Sequence, residues 1–262
     1  MLSTIERRQE IVLLTEKQGK VLVKQLADTF NISTVTIRSD LNELNKRGLI
    51  VRSRGGAVPS NRLTKELSNK EKHRENQGVK MLLAREVSQL INDGDAILLD
   101  SGTTTEEVAQ CLISKKNLTV MTNGLNIANK LSRSESCDVF ITGGRLRKKS
   151  MSFYGARADE KLKYYNFNKV ILGVDGIDID RGISTHYEPE ANFNRAMCES
   201  AETVIVVTDS TKFGKKSLHS IIRLESIDIL VTDSGIPKIF IEALKRLNID
   251  LHIVEVTNNS AI

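Results

Sequence analysis

The sequence predicts an α/β protein in two parts: an N-terminal winged helix-turn-helix joined to a larger domain built on a mostly parallel open sheet. Three observations predict it. Residues 1–60 show apolar residues at helical spacing, then a β-prone run with two glycines. Further along, short runs rich in Val, Ile and Leu alternate with helical stretches, the pattern of doubly buried strands with helices between them. Charge is also uneven. Residues 1–60 hold ten Lys or Arg against six acids, whereas the whole 262-residue chain carries only +5. A basic head on a nearly neutral body fits a polyanion-binding unit.

The head elements follow in order. Ser3 and Glu6 have the spacing of a capping box ahead of a helix to about Gln18, which Gly19 ends. Val23, Leu26, Ala27 and Phe30 define a second, short helix. Asn31-Ile32 is a tight connection, since Asn tolerates a left-handed backbone. Ser33 caps a third helix that runs from Thr34 to about Arg47, with Gly48 just past its end. Ile37, Leu41 and Leu44 form its buried stripe. The run "LIVRSRGGAV" predicts a hairpin whose turn is Gly55-Gly56, with Arg52 and Arg54 on one face.

Two helices joined by a tight turn and followed by a hairpin make a winged helix-turn-helix, whose second helix enters the DNA major groove by its N-terminal end. That placement explains Val35, an apolar residue on the polar side of its own helix. It would meet a thymine methyl, with Arg38, Ser39 and Asn42 beside it. Ser33, Thr34, Thr36 and Lys46 complete the predicted base and backbone contacts. Arg52 and Arg54 on the wing would reach phosphates or the minor groove. The alternative is a three-helix interaction module whose basic face is only solvated.

The head is expected to span residues 1–58, a polar linker 59–72 and the body 73–262. Val79, Leu82, Leu83, Val87, Leu90 and Ile91 predict an amphipathic helix to about Asn92. Seven strand runs follow: "AILLD", "LTVMT", "DVFIT", "KVILG", "TVIVVT", "IDILVT" and "LHIVEV". Between them lie helical stretches such as "TEEVAQCLI", "NIANKL", "NRAMCESA" and "PKIFIEALKRL".

In an open α/β sheet, ligands bind outside the carboxyl ends of the strands. Here those ends carry Ser101, Gly102, Thr103, Thr104 and Thr105, then Asn123 and Gly124, Gly143 and Gly144, Asp175, and Lys212. The first group joins a strand to a helix start, where hydroxyls and free N–H groups hold phosphate. Amides and carboxylates suit sugar hydroxyls. Together they predict a site for a phosphorylated sugar. The same set, with Asp209 and Glu190, also has the groups that aldose–ketose isomerisation needs. The run "GRLRKKS" at 144–150 is either a solvated loop or a lid.

No apolar run reaches the roughly 18–20 residues of a membrane span. Charges interrupt the N-terminal apolar pattern, so no secretory signal is read there. Cys111, Cys137 and Cys198 are few and scattered, which points to a reducing cytoplasm. His73, His186, His219 and His252 lack metal-ligand spacing. No metal or cofactor is expected.

Two long stretches resemble a known family. "ERRQEIVLL" with "VLVKQLADTFNISTVTIRSDLNELNKRGLIVRSRGGAV" is similar to the N-terminal signature of the DeoR-type sugar-operon repressors. "LLDSGTTT", "VMTNG", "ITGG", "GVDGID", "RGIST" and "TDSTKFGKKSL" resemble that family's C-terminal domain in order and spacing. The resemblance implies a cytoplasmic repressor, not an enzyme, whose sensor domain is similar to sugar-phosphate isomerases. It implies operator DNA, a phosphorylated sugar or polyol effector and a homo-oligomer as partners. The later motifs most resemble regulators of glycerol phosphate, amino-sugar and hexitol use. Ser39 stands where the family usually has a second arginine, Arg54 where it has histidine, and His186–Pro189 depart from its usual loop. These departures bear on base preference and effector identity.

Overall fold

The computed structural model describes residues 3–59, 66–155 and 158–256. It divides into two units, Met1–Lys65 and Glu66–Ile262.

The first unit runs α1 (Thr4–Gln18), β1 (Val21–Leu22), α2 (Val23–Phe30), α3 (Thr34–Lys46), β2 (Ile50–Ser53) and β3 (Gly56–Pro59). The predicted caps are in place. Ser3 and Glu6 form a reciprocal capping box, and Gly19 closes α1 at φ 70°. Asn31 turns the chain at φ 52°, and Ser33 accepts a bond from the Thr36 N–H. Ile11, Leu26, Ile37, Leu41, Leu44 and Ile50 form one core. The strands make an antiparallel sheet in the order β1-β3-β2.

The hairpin differs from the expected two-glycine turn. Ser53 pairs with Gly56, so the turn is Arg54-Gly55, and only Gly55 has a positive φ. Gly56 is required for another reason. β1 crosses so close that a Cβ there would lie 1.9 Å from the Val21 carbonyl oxygen. Arg54 is therefore a turn residue, and strand periodicity does not place it on the face of Arg52.

The second unit begins with α4 (Asn69–Arg74) and α5 (Gln77–Gln89). It continues β4 (Ala96–Leu99), α6 (Thr103–Leu112), β5 (Leu118–Thr122), α7 (Leu125–Leu131) and β6 (Cys137–Ile141). Next come β7 (Arg145–Arg147), β8 (Ser152–Tyr154), α8 (Ala158–Leu162), β9 (Phe167–Gly173), β10 (Gly176–Asp178) and β11 (Gly182–Thr185). The last elements are α9 (Glu188–Glu199), β12 (Ala201–Val207), β13 (His219–Ser220), β14 (Ile229–Asp233), α10 (Lys238–Arg246) and β15 (Asp250–Val254).

Seven strands form a sheet in the order β15-β14-β12-β9-β4-β5-β6, all in parallel register. They are the seven predicted runs. Helices cover both faces. Leu98 joins the core shared with α9 and α10. Its neighbours Ile97 and Leu99 join the core under α5, α6 and α7, as strand alternation requires. Strand order reverses between β4 and β9, which makes their carboxyl ends the topological switch point.

The β7–β8 hairpin and the small β10-β11-β13 sheet do not show in the sequence, because their short strands lack the continuous apolar run that marks the equally short β4. The expected linker is also shorter. Residues 66–72 belong to the second unit, because their polar groups find partners there. The Asn69 N–H bonds the Lys149 carbonyl at 2.8 Å, and Glu66 pairs with Arg147. Among the described residues no helix is long and apolar enough to cross a membrane.

Candidate functional site

On the first unit, α3 buries Ile37, Asp40, Leu41 and Leu44. That turns Ser33, Val35, Arg38, Ser39, Asn42 and Lys46 outward. Val35 is 71% exposed. Thr34 and Thr36 are half-buried, and Thr36 shares a 2.9 Å hydroxyl bond with Ser33. The wing is tied to this helix, since the Arg52 N–H bonds Asn45 Oδ1 at 2.9 Å. The Arg52 guanidinium folds back onto the Gly56 carbonyl at 3.3 Å, while Arg54 is exposed.

Not all of the head's positive charge is presented. Arg7 and Arg8 both bind Asp40, at 2.7 and 2.8 Å. Asp40 is buried on the inner side of α3. No spacing rule links residues more than thirty positions apart, so the sequence did not disclose this triad.

On the second unit, a pocket opens at the switch point. Ser101, Gly102, Thr103 and Thr104 line it from the β4 end, Asp175 from the β9 end, and Asp209 and Lys212 from the β12 end. Gly102 precedes α6 with an extended backbone, so the loop and the helix start face the pocket together. Glu106, in the first turn, is drawn away. It accepts from Asn126 Nδ2 at 2.5 Å and pairs with Lys130.

Five predicted site residues do not line the pocket. The Thr105 hydroxyl turns back to the Asp100 carbonyl at 2.5 Å and accepts the Gly102 N–H at 2.7 Å, fixing the loop from behind. Asn123 and Gly124 end β5, one strand further from the switch point. Gly124 leaves room for the loop, because a Cβ there would come within 3.2 Å of the Ser101 Cα. Gly143 and Gly144 follow the edge strand β6. A Cβ on Gly144 would lie 2.5 Å from the Tyr154 carbonyl oxygen, so this glycine serves hairpin packing.

The pocket also holds residues outside the predicted effector set: Glu66, Lys72, Lys80 and Asp100 among them, together with Glu190, which the sequence offered only as an isomerisation group. Lys72 Nζ donates to Asp175 Oδ1 at 2.5 Å. Burial opposes charge on both partners, yet their attraction wins. Lys72 is held above, and Asp175 well below, the ordinary range. Burial lowers the Lys80 ammonium to about 8, with Asp209 resisting. Burial, and then Glu190, push the Asp100 carboxyl up to about 8. Burial, and then Asp175, raise Glu190. Glu190 accepts the Thr185 hydroxyl at 2.7 Å, and Asp100 Oδ1 has no partner among the described residues. A lone lysine in a polar segment carries no sequence signal, so Lys72 and Lys80 were hidden.

The departing run His186–Pro189 does not line this pocket. Tyr187, Glu188 and Pro189 line a neighbouring cleft of about 740 Å³ under the β7–β8 hairpin. There the Arg147 guanidinium stacks 4.1 Å from the Tyr187 ring centre. Among the described residues, no cluster of His, Cys, Asp and Glu could hold a metal ion.

The whole chain is similar to known proteins. Residues 7–62 match the DeoR-like helix-turn-helix domain, and residues 75–234 the DeoR C terminal sensor domain. A relative from Escherichia coli O157:H7, provisionally named the aga operon transcriptional repressor, is 44% identical, over 96% of this chain and 94% of its own. The glycerol-3-phosphate regulon repressor of Escherichia coli K12 is 32% identical, over 95% and 98%. Among solved structures, ribose 5 phosphate isomerase A from Neisseria gonorrhoeae aligns over 51% of this chain and 52% of its own. The identity is 13% and the TM-score 0.38, a likeness of fold alone. With a matching head, a matching sensor domain and relatives aligned along nearly its full length, the chain belongs to the DeoR family of transcriptional regulators.

Proposed function

We propose that this protein represses a carbohydrate-use operon by binding its operator through the head, and that a phosphorylated sugar or polyol in the switch-point pocket releases it. One observation carries the reading. The ends of β4, β9 and β12 converge on a single pocket where a hydroxyl-rich helix start faces Lys72, Lys80 and Lys212, with Asp100, Asp175 and Glu190 beside them. Free N–H groups and ammonium groups suit a phosphate, and carboxylates suit the hydroxyls or amine of the remaining ligand. One named relative represses the glycerol-3-phosphate regulon, which favours a phosphorylated polyol, and the resemblance of the later motifs to amino-sugar regulators adds a phosphorylated amino sugar.

In the head, Val35, Ser39 and Asn42 face base edges, with Ser33, Thr34, Thr36, Arg38, Lys46, Arg52 and Arg54 around them. A dimer or larger oligomer would read paired half-sites. The body acts as a receptor without turnover. Thermal-shift measurement of the full chain with glucosamine 6-phosphate, sorbitol 6-phosphate and glycerol 3-phosphate tests this. A ligand at a hundred times its Kd adds about 2.7 kcal/mol to stability. Conversion of a probe during the measurement would contradict the receptor reading, and no shift with any probe would contradict the site.

A further inference from the structure

The switch-point pocket is almost filled by the chain itself. Its free cavity is about 50 Å³, room for a few waters at roughly 10–15 Å³ each and too little for a sugar phosphate. The filling comes from one segment. Glu66, Leu67, Asn69, Lys72 and Glu75 all line the pocket, and they directly follow the chain that leaves the head. The segment is fastened at successive points. Arg147 pairs with Glu66 through both terminal nitrogens. Asn69 bonds the Lys149 carbonyl at 2.8 Å and the Ser150 carbonyl at 3.3 Å. Lys72 binds Asp175, and Asn76 Nδ2 binds Asp209 Oδ1 at 3.2 Å. Lys80 reaches across from α5 to the Lys72 carbonyl.

We infer that residues 66–76 form a strap over the pocket, and that a phosphorylated ligand enters by taking Asp175 from Lys72 and lifting the strap. The inference rests on the ligand reading above. A ligand hydroxyl or amine replaces the lysine on Asp175, the freed Lys72 leaves with the strap, and Lys80 and Lys212, which lie outside the strap, remain to face the phosphate. Because the strap continues the chain from the head, its movement carries occupancy of the pocket toward the DNA-binding unit. A ligand can shift the equilibrium only through such differential contacts.

Hydrogen exchange on the full chain tests this with the three probes named above and inorganic phosphate as reference. A sugar-phosphate probe should slow exchange at Ser101–Thr105 and speed it at Asn69–Arg74. Slowing at the loop with unchanged or slower exchange in α4 would overturn the strap and leave the ligand site standing. No change at the loop with any probe would overturn both. Arg147→Ala supplies a second measurement. Loss of the Glu66 pair should ease opening and tighten probe binding about fivefold, the order of one half-buried ion pair. Unchanged or weaker binding would overturn the inference.

Discussion

Asp40 Oδ2 accepts the Arg7 Nε–H at 2.7 Å on the inner side of α3. This bond joins α1 to α3, and Arg8 adds a second arm to the same carboxylate. Both partners of the first bond are buried. Asp40→Ala leaves Arg7 buried without its counter-charge. The head should lose about 3–5 kcal/mol, read as an earlier unfolding transition in denaturant. A loss below about 1 kcal/mol would show that solvent replaces the carboxylate.

Val35 and the wing separate specificity from affinity. In the proposed docking, Val35→Ser would remove an apolar contact to a base edge. It should weaken operator binding about fivefold or more and leave random-sequence DNA within about twofold. Arg54→Ala should weaken binding to all sequences and lower the salt slope by about one. A wild-type slope would remove Arg54 from the phosphate contacts.

Gly56→Ala tests why the second glycine is there. With the Val21 carbonyl 1.9 Å from the new Cβ, β1 must separate from β3. The wing should become disordered by hydrogen exchange at residues 50–59. Retention of wild-type protection there would show that the strand shifts without cost.

The pocket should be sensitive to pH. The Lys80 ammonium titrates at about 8, and raising the pH through that value removes a positive charge. Asp100 titrates at about 8 as well, and the same rise adds a negative charge. Both changes oppose an anion. Sugar-phosphate affinity should therefore fall as pH rises from about 7 to about 9, and Lys80→Met should flatten that fall. Calorimetric titration across the range checks it, and affinity that rises with pH would contradict the charge assignment.

Much of the fold is legible in the residues alone. The Ile37, Leu41 and Leu44 stripe orients α3, and with it the exposure of Val35. Each of the seven body strands shows as an apolar run ending in polar residues, which brings Ser101–Thr104, Asp175 and Lys212 to the pocket. What stays hidden depends on tertiary proximity. Sequence identifies strand ends but not which lie at the switch point, so Asn123 and Gly143 look as eligible as Asp175. The Gly55-Gly56 pair looks like one turn, because only the crossing of β1 distinguishes their roles. Lys72 sits in a stretch whose composition is that of a linker, and its buried partner is Asp175, 103 positions away.

In the proposed function, one chain binds specific DNA and loosens its hold when a metabolite fills the body. Fragments of the source genome selected on the full-length protein, titrated by gel shift with and without the three sugar-phosphate probes, test it directly. At least one fragment should bind far above random DNA, and one probe should weaken that binding about 5- to 150-fold, a coupling of about 1–3 kcal/mol. Equal binding of every fragment, or selective binding that no probe alters, would contradict it.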